Sequence, residues 1–472
     1  MSGTTSSAMS RGAVNVVGAG LAGPLLAVLL ARRGFTVTLY ERREDPRHAS
    51  ADAGRSINLA LAARGIRALE HAGLMSSVRS LMIPMRGRMV HEPDRPPALL
   101  PYGQREEEVI YSVGRAALNR LLIDEAARQP GITLRFGEAC AAISPARDRL
   151  VLNVAHSDRA SAAGAPGQVR TPGQASTVRE VPLAPAIATD GAGSAVRASL
   201  AAQGLIAVRE DLLDHDYKEL AIPPAGGRHA LDPNALHVWP RRGFMLIALP
   251  NTDGSFTATL FLPREGAPSF AALGGGASVD AFFTREFPDT RLLIPDLERQ
   301  FREHPQGRLG TVHAAPWHLG GELLLLGDAA HAIVPFHGQG MNAAFEDCLV
   351  LDELIDLHES WEARFIAFES DRRPNAEAIA RMAVENYGEM REAVLEPRFL
   401  RQKEWALELE RRFPDRFIPR YSMVMFHPEI PYAEALRRGN VQQEILDTLE
   451  KRSAGSSRLD LDFARGMIDA RL

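Results

Sequence analysis

A glycine-rich turn near the start of the chain constrains the fold more than any other feature. Residues 13–17 form a short apolar run typical of a buried parallel strand, and the sequence GAGLAG follows at 18–23 before a helical segment. A second short strand is predicted at 36–40, and acidic Glu41 stands at its end, 18 residues after the turn. This order predicts a β-α-β unit that binds a dinucleotide.

Each glycine of the turn has its own role in such a unit. Gly18 permits the tight turn, Gly20 lets the backbone approach a pyrophosphate, and Gly23 lets the helix pack closely on the strand. The N-terminus of the helix attracts phosphate groups, and Glu41 can accept hydrogen bonds from a ribose diol. The next residue, Arg42, suits the extra phosphate of NADP, the adenine of FAD, or plain exposure to solvent.

Two further motifs place an acidic residue directly after a short apolar run. TDGAGSAVR occupies 189–197, where Asp190 precedes a glycine, and such a pair alone indicates only a turn. GDAAH occupies 327–331 after four leucines at 323–326, so Asp328 stands at a predicted strand end, where a carboxylate can bind a sugar-like hydroxyl. The glycine-flanked helix start that follows offers backbone N–H groups to an anion or a polar ring edge.

Composition excludes several classes of protein. The 472 residues carry 54 basic and 59 acidic side chains, a net charge of −5, which excludes a generally basic nucleic-acid binder. The two cysteines, Cys140 and Cys348, exclude a disulfide framework and a four-thiolate metal site and are consistent with a reducing compartment. The apolar stretch 14–31 is interrupted by the glycine turn, and no apolar run lies near the C-terminal end. We therefore expect a soluble, cytoplasmic protein without a membrane anchor, and no nucleic-acid partner.

His331 and His337 are the one pair of residues that suggests a metal site. They lie six positions apart in a glycine-rich segment without a further spaced histidine or cysteine, so no metal site is predicted.

The three motifs together resemble the class A flavin-dependent aromatic hydroxylases. Six longer strings extend the resemblance over residues 14–446 and are most similar to the members that act on L-kynurenine. They are GRSINLAL at 54–61, MRGRMVH at 85–91, DPNALHVWP at 232–240, GDAAHAIVPFHGQGMNAAFEDC at 327–348, ENYGEM at 385–390 and RFIPRYSMV at 416–424. Two departures stand out: Thr189 precedes Asp190 where the family usually has a small residue, and 155–185 has no counterpart.

The resemblance implies a mixed α/β fold in four stretches. A Rossmann-like FAD-binding domain over 13–200 is interrupted by an antiparallel-sheet substrate domain over 201–310, resumes over 311–360, and is followed by a helical region over 361–472. Short β-like runs with turn residues between 235 and 262 support the inserted sheet. The segment 155–185, rich in Ser, Ala, Gly, Pro and Thr, is predicted to be a loop or an extended hairpin connection.

The resemblance also implies the chemistry. FAD is held without a covalent bond, NADPH reduces it, and O2 then gives a flavin C4a-hydroperoxide that hydroxylates L-kynurenine at ring position 3. The aromatic amine activates the ring carbon beside it, so no catalytic acid or base is implied among the side chains. The product would enter tryptophan degradation or NAD synthesis, and the enzyme would be a monomer or a homodimer.

The resemblance assigns residues to both ligands. Those assigned to FAD are Gly18, Gly20, Gly23, Glu41, Arg42, Arg115, Asp190, Asp328, Gly340, Met341 and Asn342. Those assigned to the substrate are Arg88, Tyr102, Phe336, Asn386 and Tyr421. Arg88 is expected to bind the α-carboxylate with Tyr102 beside it, since an arginine fork matches a carboxylate with two bonds. Arg86 competes for that role, and Phe336 is expected to wall the pocket near the flavin.

Three other functions stay open at this point. A flavin hydroxylase for a benzoate-type acid would keep FAD but not turn over kynurenine. A plain NAD(P) dehydrogenase would be colourless and would leave the motif at Asp328 without a role. A flavin-binding partner protein would hold FAD but show no kynurenine-stimulated consumption of NADPH.

Overall fold

The computed structural model describes residues 11–48, 58–154, 177–183, 185–274, 278–391, 396–453 and 459–472. The strands are β1 (Ala13–Val17), β2 (Thr36–Glu41), β3 (Asn58–Leu61), β4 (Met82–Met85), β5 (Gly87–Val90), β6 (Ala98–Pro101), β7 (Ile110–Gly114), β8 (Ile132–Phe136), β9 (Glu138–Ile143), β10 (Arg149–Val154), β11 (Thr177–Pro182), β12 (Ala186–Ala188), β13 (Ala207–Ile222), β14 (Leu236–Pro240), β15 (Met245–Pro250), β16 (Phe256–Pro263), β17 (Gln306–Ala315), β18 (His318–Leu319) and β19 (Leu323–Leu325).

The α-helices are α1 (Ala22–Arg32), α2 (Ala63–His71), α3 (Met75–Val78), α4 (Arg115–Arg128), α5 (Ala195–Ala202), α6 (Phe270–Gly274), α7 (Val279–Glu286), α8 (Pro288–Arg291), α9 (Leu297–Glu303), α10 (Asp328–His331), α11 (Gly340–Leu357), α12 (Trp361–Arg391), α13 (Pro397–Arg412), α14 (Arg420–Phe426), α15 (Tyr432–Ser453) and α16 (Leu461–Arg471). Short 3-10 helices lie at Arg79–Leu81 and Pro335–His337.

A six-stranded sheet in the order β18-β19-β12-β1-β2-β8 forms the nucleotide-binding core. β1 pairs in parallel with both β2 and β12, and β12 pairs in parallel with β19. The carboxyl ends of these neighbouring strands therefore lie at one edge, where open α/β sheets bind their ligands. The three motifs of the sequence follow β1, β12 and β19, so the topology brings them together.

Apolar burial explains why these segments form the core. The inward leucines of α1 are almost fully buried against the sheet, and the leucines of β19 are completely buried. Continuous apolar runs of this kind are typical of parallel strands covered on both faces. The predicted strands at 13–17 and 36–40 are confirmed.

A seven-stranded sheet in the order β17-β13-β16-β15-β14-β5-β6 forms the second layer of the molecule. The antiparallel strands predicted between 235 and 262 are confirmed as β14, β15 and β16. The sheet also takes strands from outside 201–310, because β5 pairs in parallel with β14, β6 pairs with β5, and β17 runs to Ala315. The strand β5 carries Arg88 into this sheet.

Two three-stranded sheets complete the β-structure of the described residues, in the orders β11-β10-β9 and β3-β7-β4. β11 lies inside the unmatched segment 155–185 and pairs antiparallel with β10, the strand just before that segment, which agrees with an extended hairpin connection. Residues 155–176 and 184, like the start of the GRSINLAL string at 54–57, lie outside the described residues.

The C-terminal region from 361 onward is helical, as predicted, and α12 contacts β14 of the seven-stranded sheet and β18 of the six-stranded sheet. The 31-residue helix α12 continues through Pro374 and contacts α11, α15 and the 3-10 helix Pro335–His337. A separate apolar cluster joins α13, α15 and α16 around Trp405, Leu409 and Ile445. Among the described residues, the helices are either too short or too polar to cross a membrane.

Candidate active site

The glycine turn is packed tightly at two positions and open at the third. Gly18 has a φ of +100°, and an added Cβ there would lie 2.7 Å from the carbonyl oxygen of Thr189. An added Cβ at Gly23 would lie 2.0 Å from the carbonyl oxygen of Gly18. An added Cβ at Gly20 would meet nothing within 4 Å. The first and third glycines are therefore required by packing, whereas Gly20 borders open space that a pyrophosphate can enter.

Glu41 holds the turn from the end of β2. Its Oε2 accepts the backbone N–H of Ala19 at 2.8 Å, and its Oε1 accepts the backbone and side-chain N–H groups of Arg43 at 3.0 and 2.9 Å. Burial opposes ionisation of this carboxyl, but the hydrogen bonds and charge of Arg43 outweigh it and lower the pKa of Glu41. The carboxylate therefore stays ionised, with lone pairs left for a ribose diol.

Asn119 is a residue of this site that the sequence analysis missed. Its Nδ2 donates to the carbonyl oxygens of Ala19 and Gly20 at 2.9 and 2.6 Å, which fixes the turn from α4. The available signal was its spacing, one helical turn after Arg115. The side chains of Arg115 and Arg42 are exposed.

The second motif packs beneath the turn. The Thr189 hydroxyl lies 2.9 Å from the carbonyl oxygen of Gly18, so the threonine that departs from the family pattern makes a contact of its own. Asp190 Oδ2 accepts the backbone N–H groups of Ala195 and Val196 at 2.8 and 3.3 Å. Asp190 Oδ1 is buried and accepts no hydrogen bond from the described residues. A hydroxyl donor from a bound cofactor would satisfy this oxygen.

The third motif faces the start of α11. Asp328 Oδ1 lies 3.9 Å from the position of a Cβ added at Gly340. Arg197 joins this motif to the second one, because its guanidinium donates to the carbonyl oxygens of Ala329 at 2.9 Å and of Ala192. The carboxylate, the helix start and the backbone of both motifs thus surround one space.

Two of the predicted flavin residues use their side chains inside the protein. Asn342 donates to the carbonyl oxygens of Ala60 and Gly338, both at 2.8 Å, and accepts the backbone N–H of Ala62 at 2.9 Å. Met341 is 8% exposed and packs in the main apolar core. Only the backbones of these two residues are therefore free to meet a cofactor.

The residues present fit FAD. The open space at Gly20 and the ionised carboxylate of Glu41 suit the ADP half, and the unsatisfied oxygen of Asp190 suits a ribitol or phosphate-linked hydroxyl.

A second cavity, of about 170 Å³, lies between the seven-stranded sheet and the C-terminal helices. The ionisable side chains of its lining, with one amide, are Arg88, Tyr102, His337, Asn386, Glu389, Lys403, Arg420 and Tyr421, and four further polar residues, Gln402, Ser422, Gln442 and Gln443, complete the polar lining. Four of the five residues predicted to bind the substrate are therefore together. The fifth, Phe336, is not among the lining residues: its ring stacks on Tyr387 with centroids 3.9 Å apart, and the adjacent His337 lines the cavity.

Arg88 is held at the centre of this lining. Its Nη1 donates to Glu389 Oε1 at 3.1 Å, its Nη2 donates to Asn386 Oδ1 at 3.3 Å, and its guanidinium carbon lies 5.1 Å from the ring centroid of Tyr421. Burial opposes its charge, but Tyr421 and Glu389 outweigh it and raise its pKa. The competing residue Arg86 is exposed and is absent from the lining.

Three rings stack along one wall of the cavity. Tyr102 and Tyr421 have centroids 5.4 Å apart, and Tyr421 and His337 also have centroids 5.4 Å apart. Burial raises the pKa of Tyr421 to about 12 and that of Tyr102 well above its usual value, so both remain hydroxyl donors. Burial, with the nearby charges of Arg88 and Arg420, lowers the pKa of His337 to about 3, so its imidazole is neutral.

Cations outnumber carboxylates in the lining. Besides Arg88 it contains Lys403, whose pKa burial and the charge of Arg88 lower to about 8, and Arg420, which pairs with Glu385 at 2.6 Å. Among the described residues, Glu389 is the one carboxylate in the lining. A cavity with stacked rings and a cationic centre suits an aromatic molecule that carries a carboxylate.

The two sites are linked through a short stretch of chain. His337 lines the cavity, and the backbone continues through Gly338 and Gln339 to Gly340 beside Asp328. His331 is the other histidine that was considered as a metal ligand. Its Nε2 lies 2.7 Å from the buried carboxylate of Asp347.

Comparison with known proteins identifies the family. The chain matches the FAD binding domain family over residues 11–255 and 284–383. It is 48% identical over 434 residues to a protein of Stenotrophomonas maltophilia (strain K279a) named kynurenine 3-monooxygenase, covering 92% of this chain and 91% of that one. It is 46% identical over 467 residues to the kynurenine 3-monooxygenase of Xanthomonas axonopodis pv. citri (strain 306), covering 99% and 98%.

Solved structures agree on the fold. The crystal structure of p-nitrophenol 4-monooxygenase from Pseudomonas putida DLL-E4 superimposes with a TM-score of 0.62 at 18% identity, covering 93% of this chain and 97% of that one. The predicted fold class and the predicted FAD-dependent enzyme are thereby confirmed. The chain belongs to the kynurenine 3-monooxygenase family of FAD-dependent monooxygenases.

Proposed function

We propose that this enzyme hydroxylates L-kynurenine at ring position 3, consuming one NADPH, one proton and one O2 and releasing NADP⁺ and one water. The observation that carries the proposal is the buried Arg88, which Asn386 and Glu389 hold in the cavity next to the loop 338–340, here called the flavin-side loop. The names of its relatives give the substrate.

FAD, when bound, supplies the redox chemistry and the activation of oxygen. The side chains of this protein bind and orient the other reactant. The unpaired Nε of Arg88 and its two Nη groups offer donors to an α-carboxylate, and Tyr102 offers a hydroxyl beside them. Glu389, whose Oε1 lies 3.1 Å from Arg88 Nη1, offers the complementary charge for an α-ammonium group. An amino acid anchored at this end presents its aromatic ring toward the rest of the cavity.

The substrate's own amine supplies the activation of the ring, so the protein's remaining task is to exclude water. Helices α13 and α14 cover the cavity: α13 contributes Phe399, Ala406 and Leu407 to the lining, and α14 contributes Tyr421. A cover that excludes water favours transfer of oxygen to the ring over loss of the oxidising equivalents as H2O2.

An anaerobic reduction experiment tests the proposal. Holoenzyme is mixed with NADPH with and without L-kynurenine, and bleaching of the flavin absorbance is followed. We expect kynurenine to accelerate bleaching, and admission of O2 to give 3-hydroxykynurenine in proportion to NADPH consumed. Parallel runs with 4-hydroxybenzoate in place of kynurenine test the alternative that the enzyme hydroxylates a benzoate-type acid. Rapid bleaching that is indifferent to kynurenine, or reduction of O2 to H2O2 alone, would overturn the proposal.

We further propose a cytoplasmic location and a monomeric or homodimeric state. Both cysteines are free thiols, with Cys348 fully buried, which suits a reducing compartment. Light scattering of the holoenzyme distinguishes the two assemblies, and a larger particle would contradict both.

A further inference from the structure

The loop 338–340 is the segment that joins the cavity to the flavin side, and its middle residue is anchored in the C-terminal helical region. Gln339 is completely buried. Its Oε1 accepts a hydrogen bond from the Tyr432 hydroxyl at 2.6 Å, and its Nε2 donates to the Met425 sulfur at 3.0 Å. The whole side-chain amide is therefore engaged by α14 and α15.

Tyr432 is itself fixed independently of Gln339. It is completely buried at the start of α15, and its ring centroid lies 3.9 Å from the guanidinium carbon of Arg64. Arg64 in turn donates to Glu346 on α11 at 2.6 Å and to the carbonyl oxygen of Ile430. Burial raises the pKa of Tyr432, so the hydroxyl remains a donor at every working pH. The cation–π contact with Arg64 fixes the ring of Tyr432, and the hydroxyl is thereby positioned to bind Gln339.

The other side of the loop is tied to a different part of the molecule. Asn342 donates to the carbonyl oxygen of Gly338 at 2.8 Å and accepts the backbone N–H of Ala62, at the start of α2. Adjacent residues of the loop are thus held by the flavin-binding domain on one side and by the C-terminal helices on the other.

We infer that Tyr432 is a positioning residue that couples the C-terminal helical region to the flavin-side loop. Its hydroxyl fixes Gln339 and with it the backbone that begins α11 beside Asp328. The positions of α14 and α15, which also line the substrate cavity through Tyr421 and Gln442 respectively, therefore set the geometry of the loop 338–340. The catalytic consequence of this coupling rests on the proposed function, whereas its effect on bound flavin does not.

The direct test is Tyr432→Phe in the holoenzyme. This change keeps the ring over Arg64 and removes one hydroxyl. We expect unchanged FAD content, a shifted flavin absorption spectrum and midpoint potential, and a fraction of NADPH oxidation ending as H2O2 that rises about two- to tenfold, the ratio that one net hydrogen bond is worth. KM for kynurenine should change less than kcat. Tyr111→Phe, on β7, is the matched control that loses a hydroxyl elsewhere and should leave all of these unchanged.

A double-mutant cycle with Gln339→Leu separates coupling from packing. If Tyr432 acts through Gln339, the double variant shifts the spectrum and the H2O2 fraction no further than Gln339→Leu alone. Additive effects, or a Tyr432→Phe enzyme with the spectrum, potential and H2O2 fraction of the unaltered protein, would overturn the inference. If the unaltered holoenzyme fails to hydroxylate kynurenine, the proposed function fails, and the spectrum and potential of the variants still decide the role of Tyr432.

Discussion

Arg88 Nη2 lies 3.3 Å from Oδ1 of Asn386, a residue almost 300 positions later in the chain. Asn386 also donates to the carbonyl oxygen of Phe336 at 2.7 Å. One amide therefore connects the substrate-side strand β5, the long helix α12 and the 3-10 helix that leads to the flavin. The proposed carboxylate site therefore requires all three elements, which explains why no single element shows it.

Loss of the Arg88 fork should weaken substrate binding selectively. Arg88→Ala removes charged hydrogen bonds worth about 1.5–3 kcal/mol, so the kynurenine dissociation constant should rise roughly ten- to over a hundredfold while FAD content stays normal. Arg88→Lys keeps the charge but not the fork and should recover only part of the affinity. Equilibrium titration of the flavin spectrum measures each constant.

Two controls make the assignment of Arg88 specific. Arg86→Ala, at an exposed position two residues away, should have little effect. Kynuramine, which lacks the carboxylate, should bind the unaltered enzyme poorly and be nearly indifferent to Arg88→Ala. If kynurenine and kynuramine lose affinity equally, Arg88 shapes the cavity and does not bind the carboxylate.

A side chain at Gly20 should expel FAD without unfolding the protein. An added Cβ there meets nothing within 4 Å, so the polypeptide of Gly20→Val can fold, but the branched side chain fills the space that a pyrophosphate needs. We expect colourless protein with near-normal circular dichroism. Gly466→Val, at an exposed position of α16 where an added Cβ also meets nothing, is the control and should purify yellow. Full flavin occupancy of Gly20→Val would refute the assignment.

Ionisation of Lys403 should make substrate binding depend on pH. Burial and the charge of Arg88 lower its pKa to about 8 in the free enzyme, and a bound carboxylate favours the charged amine and raises that pKa. Affinity for an anionic ligand should therefore be constant below about pH 8 and fall above it, by up to about tenfold per pH unit.

The cleanest ligand for this measurement is the kynurenine analogue without the α-amine, 4-(2-aminophenyl)-4-oxobutanoate, since it has no amine of its own that titrates in this range. Lys403→Met should bind it more weakly at pH 7 and should lose the alkaline fall. Persistence of the fall in Lys403→Met would assign it to another group.

Local pattern was sufficient for the nucleotide-binding half and insufficient for the substrate half. The strands at 13–17 and 36–40 carry their own signal, and parallel neighbours necessarily bring the motifs that follow them to one edge. By contrast, β5 joins β14 through a pairing between residues about 150 positions apart, which no local pattern encodes. The residues that line the cavity and depend on this pairing were predicted from the family resemblance and not from a local pattern.

Individual side chains were harder to predict than their neighbourhoods. Lys403 and Glu389 sit on charged, amphipathic helices where a single ionisable residue is ordinarily solvated, so nothing marked them as lining a cavity. Asn342 was expected at the flavin, but its amide is used by the backbone of Ala60, Ala62 and Gly338. Burial and hydrogen-bond direction, which decide such roles, are properties of the assembled fold.

The ion pairs beneath the third motif should make stability fall in acid. Asp347 is completely buried between His331 and Arg372, each 2.7 Å away, and accepts the backbone N–H of Gly327. Burial opposes its ionisation, but the interactions with His331 and Arg372 outweigh it and lower the pKa of Asp347 to about 2 from an ordinary 3.8. Because the folded-state pKa is depressed, the stabilisation is fully present above about pH 4 and is lost as the pH falls toward 2.

Asp347→Asn should leave Arg372 without one of its two carboxylates and lower the free energy of unfolding by about 3–5 kcal/mol at pH 7. Urea unfolding in excess FAD at several pH values measures both effects. Asp469→Asn, which breaks the exposed pair with Arg416, is the control and should cost less than about 1 kcal/mol. Equal losses in the two variants would show that Asp347 contributes no more than a surface carboxylate.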